Sequence, residues 1–573
     1  MSVHDPRAWE RPQPRPANPI PYGLRRLAPS WRWLSEAMWW VEHSFGRARA
    51  NARPEEDTRV RIFLITTVFS VIFCALALGA ANAALLKPKG AVGSVSNPNA
   101  VSRGDIVDRN GALMATNVTH YSLYVNPNEV WDPELAAQQI RRALPRVSAS
   151  KLRNVLDGRR RLLVLQRLTP EEKAAVHGLA LGGVTFEPED LRIYPLEGSA
   201  RHVLGASDTG AQGISGAELA FNTEIRAAGQ DGGSFPLSID LRVQGVLDNE
   251  LAAAASAVQA HGAVGVVADA TTGEILGMSS WPTTDSKNLA ASGHYEMGSV
   301  FKTFTIAASL DTGKVDMNTM FDASQPYMIG NRRISDFHAT NKILSLEEVY
   351  LHSSNIGTSR MAVELGPDTM RDYFQRLGLL EAAPIELHES ARPRLPRNWE
   401  DSSRASMSFG YAIMITPLQM TAATVALVNG GMYRPLTLRR GGTGVEGRRV
   451  VSAETSRAIR DLMRANVLRG SGKSANAQGL RVGGKTGSAN KLVNGRYDPR
   501  HGVGSFASVF PADGGENTRR YVIFVLIDEP ALGSQLGGAV AAPTAGRVID
   551  RISGFLNVER VADPIVPGLA APR

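Results

Sequence analysis

The segment from Ile62 to Ala81 contains no charged residue, and this feature divides the chain into two unequal parts. An apolar run of this length, in helical form, spans the hydrocarbon core of a bilayer. Arginines precede it at positions 47, 49, 53, 59 and 61. Basic residues beside a span stay on the cytoplasmic side of the membrane. The sequence therefore predicts a single transmembrane helix over 62–81, with a cytoplasmic N-terminus and the bulk of the chain on the opposite side.

A buried core helix and a cleaved signal peptide are the two alternatives to a membrane span. A buried core helix can be equally apolar, although it needs no basic flank. A cleaved signal peptide is suggested by the small residues at 81–83. Signal peptides, however, begin close to the N-terminus and have shorter apolar cores. We favour an uncleaved anchor, preceded by a proline-rich cytoplasmic arm over residues 1–61.

Composition excludes several classes of protein. With 573 residues, 43% of them hydrophobic, the chain is long enough for two or three domains with full cores. The single cysteine, Cys74, rules out an intrachain disulfide and a thiolate metal cluster. The net charge is +8, but the basic residues are scattered and no basic face interleaved with aromatic residues is present. No nucleic-acid partner is therefore predicted.

Beyond the apolar run the sequence divides into four segments that differ in composition and pattern. Residues 82–102 are rich in Pro, Gly, Ser and Asn, which predicts a stem. Residues 103–235 mix short strand-like and helical runs without a converging set of reactive side chains, which predicts an elongated, non-catalytic pedestal domain of mixed α/β structure. Residues 236–556 have the pattern of a second, catalytic domain, and 557–573 form a C-terminal tail.

The catalytic segment has strand patterns at both ends. Two apolar runs, 265–269 and 274–279, are joined by a short turn that predicts a hairpin. Further strand-like runs lie near the other end, at 481–488, 505–511 and 520–528. The sequence between them is mostly helical, and one helix start is clear, because residues 416–419 combine an N-cap threonine, proline and a capping-box glutamine. The predicted fold class is α+β, with an antiparallel sheet packed against helices.

The first reactive pair is Ser299 and Lys302. Gly298 and Ser299 precede an apolar helical run over 300–310, so Ser299 is predicted at a helix N-terminus, where developing negative charge is stabilised. Lys302 follows by about one turn, which brings its amine to the serine oxygen. To act as a base the amine must be neutral, which requires burial and a neighbouring cation. Lys485 is the predicted neighbour.

Two further segments complete the pattern. Ser353 and Asn355 are two residues apart, so a tight turn points both side chains into one cleft, where the hydroxyl can relay a proton and the amide can hold a substrate carbonyl. Residues 483–488 predict a strand edge with little side-chain bulk. A peptide can pair with that edge, its carboxylate held by Lys485, Thr486 and Ser488, while the backbone N–H groups of Ser488 and Ser299 form an oxyanion hole.

Each motif is weak when taken alone. S-x-x-K also occurs from Ser148 to Lys151, where a capping serine and a surface lysine account for it. S-x-N also begins at Ser286, Ser474 and Ser488, where ordinary turn chemistry is sufficient. K-[ST]-G occurs once, over residues 485–487. The order and spacing of the three motifs make the prediction specific.

With these residues in place, the chain resembles the class B penicillin-binding proteins and is most similar to their septal, cell-division type. The resemblance covers nearly everything from Ile62 to about Leu556 and extends to wider strings, at residues 103–111, 213–218, 408–411 and 416–419. It implies that Ser299 is the acylated serine and Lys302 its base. The second and third motifs are then supplied by Ser353, Asn355, Lys485, Thr486 and Gly487.

The resemblance implies a single-pass inner-membrane enzyme that cross-links peptidoglycan stem peptides at a D-Ala-D-Ala terminus outside the cytoplasm. Its implied partners are stem peptides, β-lactams, the membrane and division-complex proteins, including a polytopic lipid II polymerase. It implies no metal and no cofactor. The septal assignment rests on residues 295–299 and on the sequence Asp336-Phe337-His338.

Other functions share these motifs. An elongation-type transpeptidase, a D,D-carboxypeptidase and a β-lactamase all use the same triplet. Hydrolysis needs a base that positions water, and Glu389 lies in the general region expected for one but lacks the E-x-x-L-N pattern of class A lactamases. We therefore predict slow deacylation. A scaffold or β-lactam sensor is disfavoured by the complete triplet and by the single predicted span.

Overall fold

The computed structural model describes residues 65–77 and 103–562. Residues 65–77 form a helix whose side chains are all exposed. Within the two described ranges, no helix combines the length and hydropathy that a membrane crossing requires. The arm, both ends of the predicted span, the stem up to residue 102 and most of the tail lie outside the described residues. Those assignments stay predictions.

The first part of the larger described range alternates short strands and helices, as the pattern of residues 103–235 predicts. Its strands are β1 (Asp105–Val107), β2 (Leu113–Val125), β3 (Leu162–Leu168), β4 (Val184–Ile193), β5 (Ala206–Ser207), β6 (Gly213–Ser215) and β7 (Ser234–Pro236). Its helices are α1 (Pro133–Ala143), α2 (Ala149–Leu156), α3 (Pro170–His177), α4 (Arg201–Leu204), α5 (Gly216–Ala220) and α6 (Asn222–Gln230), with a 3₁₀ turn at Pro127–Glu129.

Strand β2 is the centre of the pedestal. It pairs antiparallel with β1, β3 and β4, and β7 returns to pair in parallel with β1. A separate hydrophobic cluster forms where α1 and α2 cover this sheet, with Leu123, Ile140, Leu152 and Val164 all fully buried. This cluster gives the pedestal a core of its own, as a domain of this kind needs.

A buried network of ion pairs joins two of the family-like sequence stretches, 103–111 and 213–218. The carboxylate of Glu218 accepts from Arg103 Nε at 2.5 Å and from Arg192 Nε at 2.7 Å, and the side chain of Glu218 is inaccessible to solvent. Arg103 also donates to the Glu218 carbonyl at 2.6 Å. Buried charges require such complete pairing. The strings at 103–111 and 213–218 are therefore brought together by one carboxylate, although Arg103 and Glu218 are 115 residues apart in sequence.

The second part holds the remaining elements. Its strands are β8 (Ala260–Asp269), β9 (Ile275–Trp281), β10 (Met320–Asp322), β11 (Tyr327–Ile329), β12 (Arg332–Ile334), β13 (Ile343–Ser345), β14 (Met432–Tyr433), β15 (Arg448–Arg449), β16 (Gly483–Val493), β17 (Arg496–Phe510) and β18 (Tyr521–Pro530). Its helices are α7 (Leu241–Ala257), α8 (Leu289–Ser292), α9 (Lys302–Asp311), α10 (Leu346–Leu351), α11 (Asn355–Leu365), α12 (Pro367–Arg376), α13 (Asp401–Ser408), α14 (Pro417–Val428), α15 (Ala453–Arg469) and α16 (Gly537–Ile552), with 3₁₀ turns at Gly298–Phe301 and Lys473–Ala475.

A five-stranded sheet in the order β16-β17-β18-β8-β9, antiparallel at every pairing, organises this part. Strand β18 shows why both faces are covered. Val522, Phe524 and Leu526 belong to one hydrophobic cluster, which includes α9 and α14. The alternate residues Ile523 and Val525 belong to another, formed with α7 and α16. Because successive side chains leave opposite faces of a strand, a continuous apolar run is what a doubly covered strand requires.

The predicted α+β class and the antiparallel sheet are confirmed. The predicted helix start at Thr416 is present as a full capping box: Gln419 N donates to Thr416 Oγ1 at 3.2 Å, and Thr416 N donates to Gln419 Oε1 at 2.9 Å. Strand β16 is an edge of the sheet, and its free side faces the elements that carry the other two motifs. The sheet therefore positions the site.

Candidate active site

Ser299 lies in the 3₁₀ turn Gly298–Phe301, which continues directly into α9 at Lys302. The sequence predicts a helix over 300–310, and the structure differs only in the tighter first turn. A 3₁₀ start places residues three apart above one another. Ser299 and Lys302 therefore share a face, and the lysine is fully buried beneath the serine.

The turn is held by glycines packed backbone against backbone. Gly298 has a φ of +56°, and a Cβ there would lie 2.3 Å from the Ser488 carbonyl oxygen. Gly410 has a φ of +83°, and a Cβ there would lie 2.2 Å from the Gly298 oxygen. A Cβ on Gly487 would lie 2.2 Å from the Met297 oxygen. No residue with a side chain fits at these contacts, so Ser299 is fixed against β16 at close range. We call Gly298, Gly410 and Gly487 the glycine stack.

The contacts of Lys302 Nζ match those of a neutral amine. The Ser353 carbonyl oxygen at 2.6 Å and Asn355 Oδ1 at 2.7 Å can only accept hydrogen bonds. These two acceptors can take both N–H bonds of the amine in its neutral form. The lone pair of that form is then available to the hydroxyls of Ser299 and Ser353, whose Oγ atoms lie 2.9 and 3.1 Å from Nζ. The geometry is that of a base in contact with a nucleophile.

Ser353 lies between two lysines. Its Oγ is 3.1 Å from Lys302 Nζ and 3.0 Å from Lys485 Nζ. The residue has a φ of +59°, a left-handed conformation that is unfavourable for a residue with a side chain. This backbone angle turns the Ser353 carbonyl toward Lys302 as well. The strained turn thus supplies both an acceptor for the base and a hydroxyl bridge to β16.

Burial shifts the pKa of both lysines downward. It is the larger cause for Lys302, followed by the positive charge of Lys485, and together they hold the pKa of Lys302 well below its ordinary value. The carboxylate of Asp336 acts in the opposite direction on that pKa. Burial alone lowers the pKa of Lys485 to about 7. Both conditions predicted for a lysine base, burial and a neighbouring cation, are present.

The other predicted residues also lie in the cleft, and two of them, Asn355 and Ser488, make hydrogen bonds that the sequence does not predict. Asn355 is in the cleft, but its Nδ2 donates to the Ser335 carbonyl at 2.9 Å while its Oδ1 faces Lys302. One N–H of its side-chain amide is therefore used within the protein, and the second stays predicted for a substrate carbonyl. Ser488 Oγ accepts from Gly537 N at 3.0 Å, because this side chain faces the start of α16. The hydroxyl hydrogen of Ser488 is not used by this bond, so Lys485, Thr486 and Ser488 all stay predicted for a carboxylate.

Sequence reasoning missed two contributors. Ser471 Oγ lies 2.6 Å from Thr486 Oγ1 and orients that hydroxyl. In the sequence, Asp336 is noted only as part of a septal signature. Its carboxylate nevertheless accepts hydrogen bonds from Ser354 and from Ile356 N, in and beside the second motif. Neither residue has a signal of its own, because each is positioned by a loop that is distant in sequence.

The competing motifs have structural roles elsewhere. Ser148 is the N-cap of α2 and accepts from Lys151 N at 3.2 Å, while both side chains stay exposed. Ser474 donates to the Gly538 carbonyl at 2.8 Å. Neither of these hydrogen bonds joins its motif to Ser299, Ser353 or Lys485.

A helix-start serine in contact with a buried lysine, beside the edge of a sheet, is typical of the active-site-serine acyltransferases. Comparison with known families identifies the branch. The penicillin binding protein transpeptidase domain matches residues 263–550, and the penicillin-binding protein dimerisation domain matches residues 98–228. The chain belongs to the class B penicillin-binding proteins, as predicted, and the predicted transpeptidase function is confirmed at the level of this family.

Individual relatives agree with this assignment. The chain is 47% identical to the probable peptidoglycan D,D-transpeptidase FtsI of Caulobacter vibrioides, over 95% of this chain and 97% of that protein. It is 28% identical to the peptidoglycan D,D-transpeptidase FtsI of Escherichia coli strain K12, over 80% of this chain and 84% of that protein. The transpeptidase domain of Burkholderia pseudomallei penicillin-binding protein 3 aligns with a TM-score of 0.53 at 30% identity, and covers 57% of this chain and 97% of that domain.

Proposed function

We propose that this protein is a membrane-anchored peptidoglycan D,D-transpeptidase that cross-links stem peptides at the division septum through an acyl-enzyme on Ser299. One observation carries the proposal: the buried Lys302 Nζ lies 2.9 Å from the Ser299 hydroxyl oxygen, while the Ser353 carbonyl and Asn355 Oδ1 stand ready to accept its N–H bonds in the neutral form. An amine so arranged is ready to accept the serine proton. Catalysis by a positioned base of this kind contributes about 10² to 10⁴ in rate.

Acylation follows from the contacts in the site. Ser299 Oγ attacks the carbonyl of the penultimate D-alanine as its proton passes to Lys302 Nζ. The backbone N–H groups of Ser299 and Ser488 then receive the oxyanion. The Ser353 hydroxyl, in reach of both lysines, carries the proton to the nitrogen of the departing D-alanine. The C–N bond breaks and an ester on Ser299 remains.

Substrate binding uses the free side of β16. The donor stem peptide adds to this edge by main-chain pairing, which is a common mode of peptide recognition. Lys485 and Thr486 receive its terminal carboxylate, and Gly487 keeps the strand narrow enough for close approach. The amine of a second stem then attacks the ester and gives its proton to Lys302, which returns it to Ser299 Oγ as the ester C–O bond breaks. β-Lactams acylate the same oxygen.

Deacylation by water is expected to be slow. Glu389 is the acid nearest in sequence to a lactamase base, but its carboxylate accepts a hydrogen bond from Asn288 Nδ2 at 3.3 Å. It lines a cavity of about 530 Å³ together with pedestal residues, among them Arg201 and His202. Neither contact involves the residues around Ser299. Glu389 is therefore not placed to activate a water molecule beside the ester.

Intact-protein mass spectrometry after penicillin treatment tests the proposed function. We expect one penicilloyl adduct, located on Ser299 by peptide mapping, that persists for hours after free penicillin is removed. An unmodified wild-type protein refutes the acyltransferase assignment. An adduct that is lost within seconds instead favours a β-lactam-hydrolysing enzyme.

The septal role and the membrane anchor are parts of the same proposal. They are supported by the similarity to the two proteins named FtsI and by the uncharged run at 62–81. We propose the bacterial inner membrane as the location, with the domain boundaries predicted from the sequence and with a polytopic lipid II polymerase as partner in the division complex. A fluorescently tagged full-length copy is expected at midcell in dividing cells. A side-wall pattern instead favours the elongation-type alternative.

A further inference from the structure

Asp336 forms hydrogen bonds with the second catalytic motif. It lies in a loop that contributes no predicted site residue. Its Oδ2 accepts from Ser354 Oγ at 2.8 Å, and its Oδ1 accepts from Ile356 N at 2.9 Å. The preceding residue, Ser335, accepts from Asn355 Nδ2 at 2.9 Å through its carbonyl. Two successive residues of this loop thus hold three successive residues of the turn that contains Ser353.

The carboxylate lies at the first turn of α11. Ser354 is the N-cap of that helix, and its Oγ accepts from Gly357 N at 3.0 Å. Because that oxygen receives a backbone N–H, its own hydrogen is directed to Asp336. A negative charge at a helix N-terminus is favourable. Asp336 therefore completes the cap and connects it to the loop.

The same bonds orient the groups around the base. Ser353 has a left-handed φ of +59°, which the neighbouring residues must impose. The bond from Asn355 Nδ2 to Ser335 leaves Asn355 Oδ1 to face Lys302 Nζ. If this brace is released, the turn is free to relax and Lys302 loses the two acceptors that direct its lone pair to Ser299.

We propose that Asp336 is a positioning residue of the transpeptidase reaction, which braces the Ser353–Asn355 turn and contributes a negative charge to the surroundings of the Lys302 base. The proposal rests on the proposed acyl-enzyme function and adds a residue outside the three motifs. Asp336 does not touch the reacting atoms and acts through Ser354, the backbone of Ile356 and its own neighbour Ser335.

The charged and titratable groups around Lys302 come from three elements. Lys485 on β16 contributes a positive charge that lowers the pKa of Lys302, and Asp336 contributes a negative charge that raises it. Tyr350 on α10 lies under Lys485, with the ring centroid 5.6 Å from Nζ, and its own pKa is raised by burial. Removal of the Asp336 charge therefore lowers the pKa of Lys302. The acid limb of the acylation profile moves to lower pH.

The experiment measures the second-order rate constant for acylation by a fluorescent penicillin as a function of pH. It uses the full-length protein in detergent and compares wild type with D336N and S354A. For D336N we expect a fall of roughly 10- to 100-fold, the scale of a misplaced catalytic group, together with a shift of the acid midpoint to lower pH. For S354A, which removes the bond between Ser354 and Asp336 and keeps the charge, we expect a fall without a shift.

Asp132→Asn is the matched control. Asp132 is also a carboxylate that caps a helix through two backbone N–H groups, at 3.1 and 3.0 Å, but it lies in the pedestal. It is expected to leave both the rate and the midpoint unchanged. The inference is overturned if D336N reacts within twofold of wild type, or if its midpoint stays in place. If D336N does not fold, an S354A rate within twofold of wild type overturns it equally. Failure of the wild type to react at all counts against the proposed function instead.

Discussion

Ser299→Ala is expected to abolish covalent labelling by a fluorescent penicillin, while the protein stays folded. The reason is chemical, because alanine has no oxygen that can form the ester. The only hydrogen bond of the hydroxyl among the described residues is with Lys302 Nζ, and loss of one such bond costs about 1 kcal/mol. Gel fluorescence of the labelled full-length protein, beside its thermal unfolding midpoint, checks both statements.

The matched control is Ser148→Ala, in the competing S-x-x-K motif. Ser148 caps α2, and removal of such a cap also costs about 1 kcal/mol. The control is therefore destabilised by about as much as Ser299→Ala but is expected to label fully. Residual labelling of the Ser299→Ala protein at the same stoichiometry means that the nucleophile has been misassigned.

Lys302→Arg is expected to lower the acylation rate constant by about 10² to 10⁴, the range attributed to a positioned base. Arginine carries a positive charge and does not release its proton in proteins, so it cannot receive the proton of Ser299. Stopped-flow measurement of penicillin acylation gives the rate constant. Lys302→Met, which removes the amine from the same buried volume, is expected to show a loss of the same order.

The dependence of the acylation rate on pH distinguishes a Lys302 that acts as the base from one that has only a structural role. Wild-type acylation is expected to fall as the pH is lowered through the pKa of Lys302, because protonation consumes the lone pair. Burial and the charge of Lys485 hold that pKa well below its ordinary value, so the acid limb is expected at a lower pH than an exposed lysine would give. Lys302→Arg is expected to lose this acid limb. Lys151→Arg, in the competing motif, should leave the profile unchanged; a wild-type profile that is flat in acid contradicts the assignment.

Local patterns predicted most of the fold. The hairpin of β8 and β9, the strands β17 and β18 and the cap at Thr416 follow from periodicity and capping, which depend on neighbouring residues alone. The start of β17, predicted at 505 and observed at Arg496, and the end of β16 are exceptions. The sequence predicts a strand over 481–488, whereas the strand runs from Gly483 to Val493. Its last residues pair with β17 beyond a bulge between Asn490 and Lys491, and polar side chains there hide the strand from a hydrophobic pattern.

The site was predictable to the level of its motifs but not of its contacts. Ser299, Lys302, Ser353 and Lys485 converge as the spacing of the motifs requires. The bond of Ser488 to α16 and that of Asn355 to Ser335 join residues that are 49 and 20 positions apart in sequence. No periodic signal encodes such meetings, because each is the result of packing the whole domain.

The glycine stack limits how resistance to β-lactams can evolve in this protein. Any single substitution in the stack places a Cβ 2.2 or 2.3 Å from a neighbouring carbonyl oxygen. The backbone around Ser299 therefore cannot change shape in small, tolerated steps. Mutants with reduced drug affinity should therefore carry their changes on the surrounding loops. An inhibitor that binds mainly to the backbone beside the glycine stack should select fewer resistant variants than one that relies on those loops.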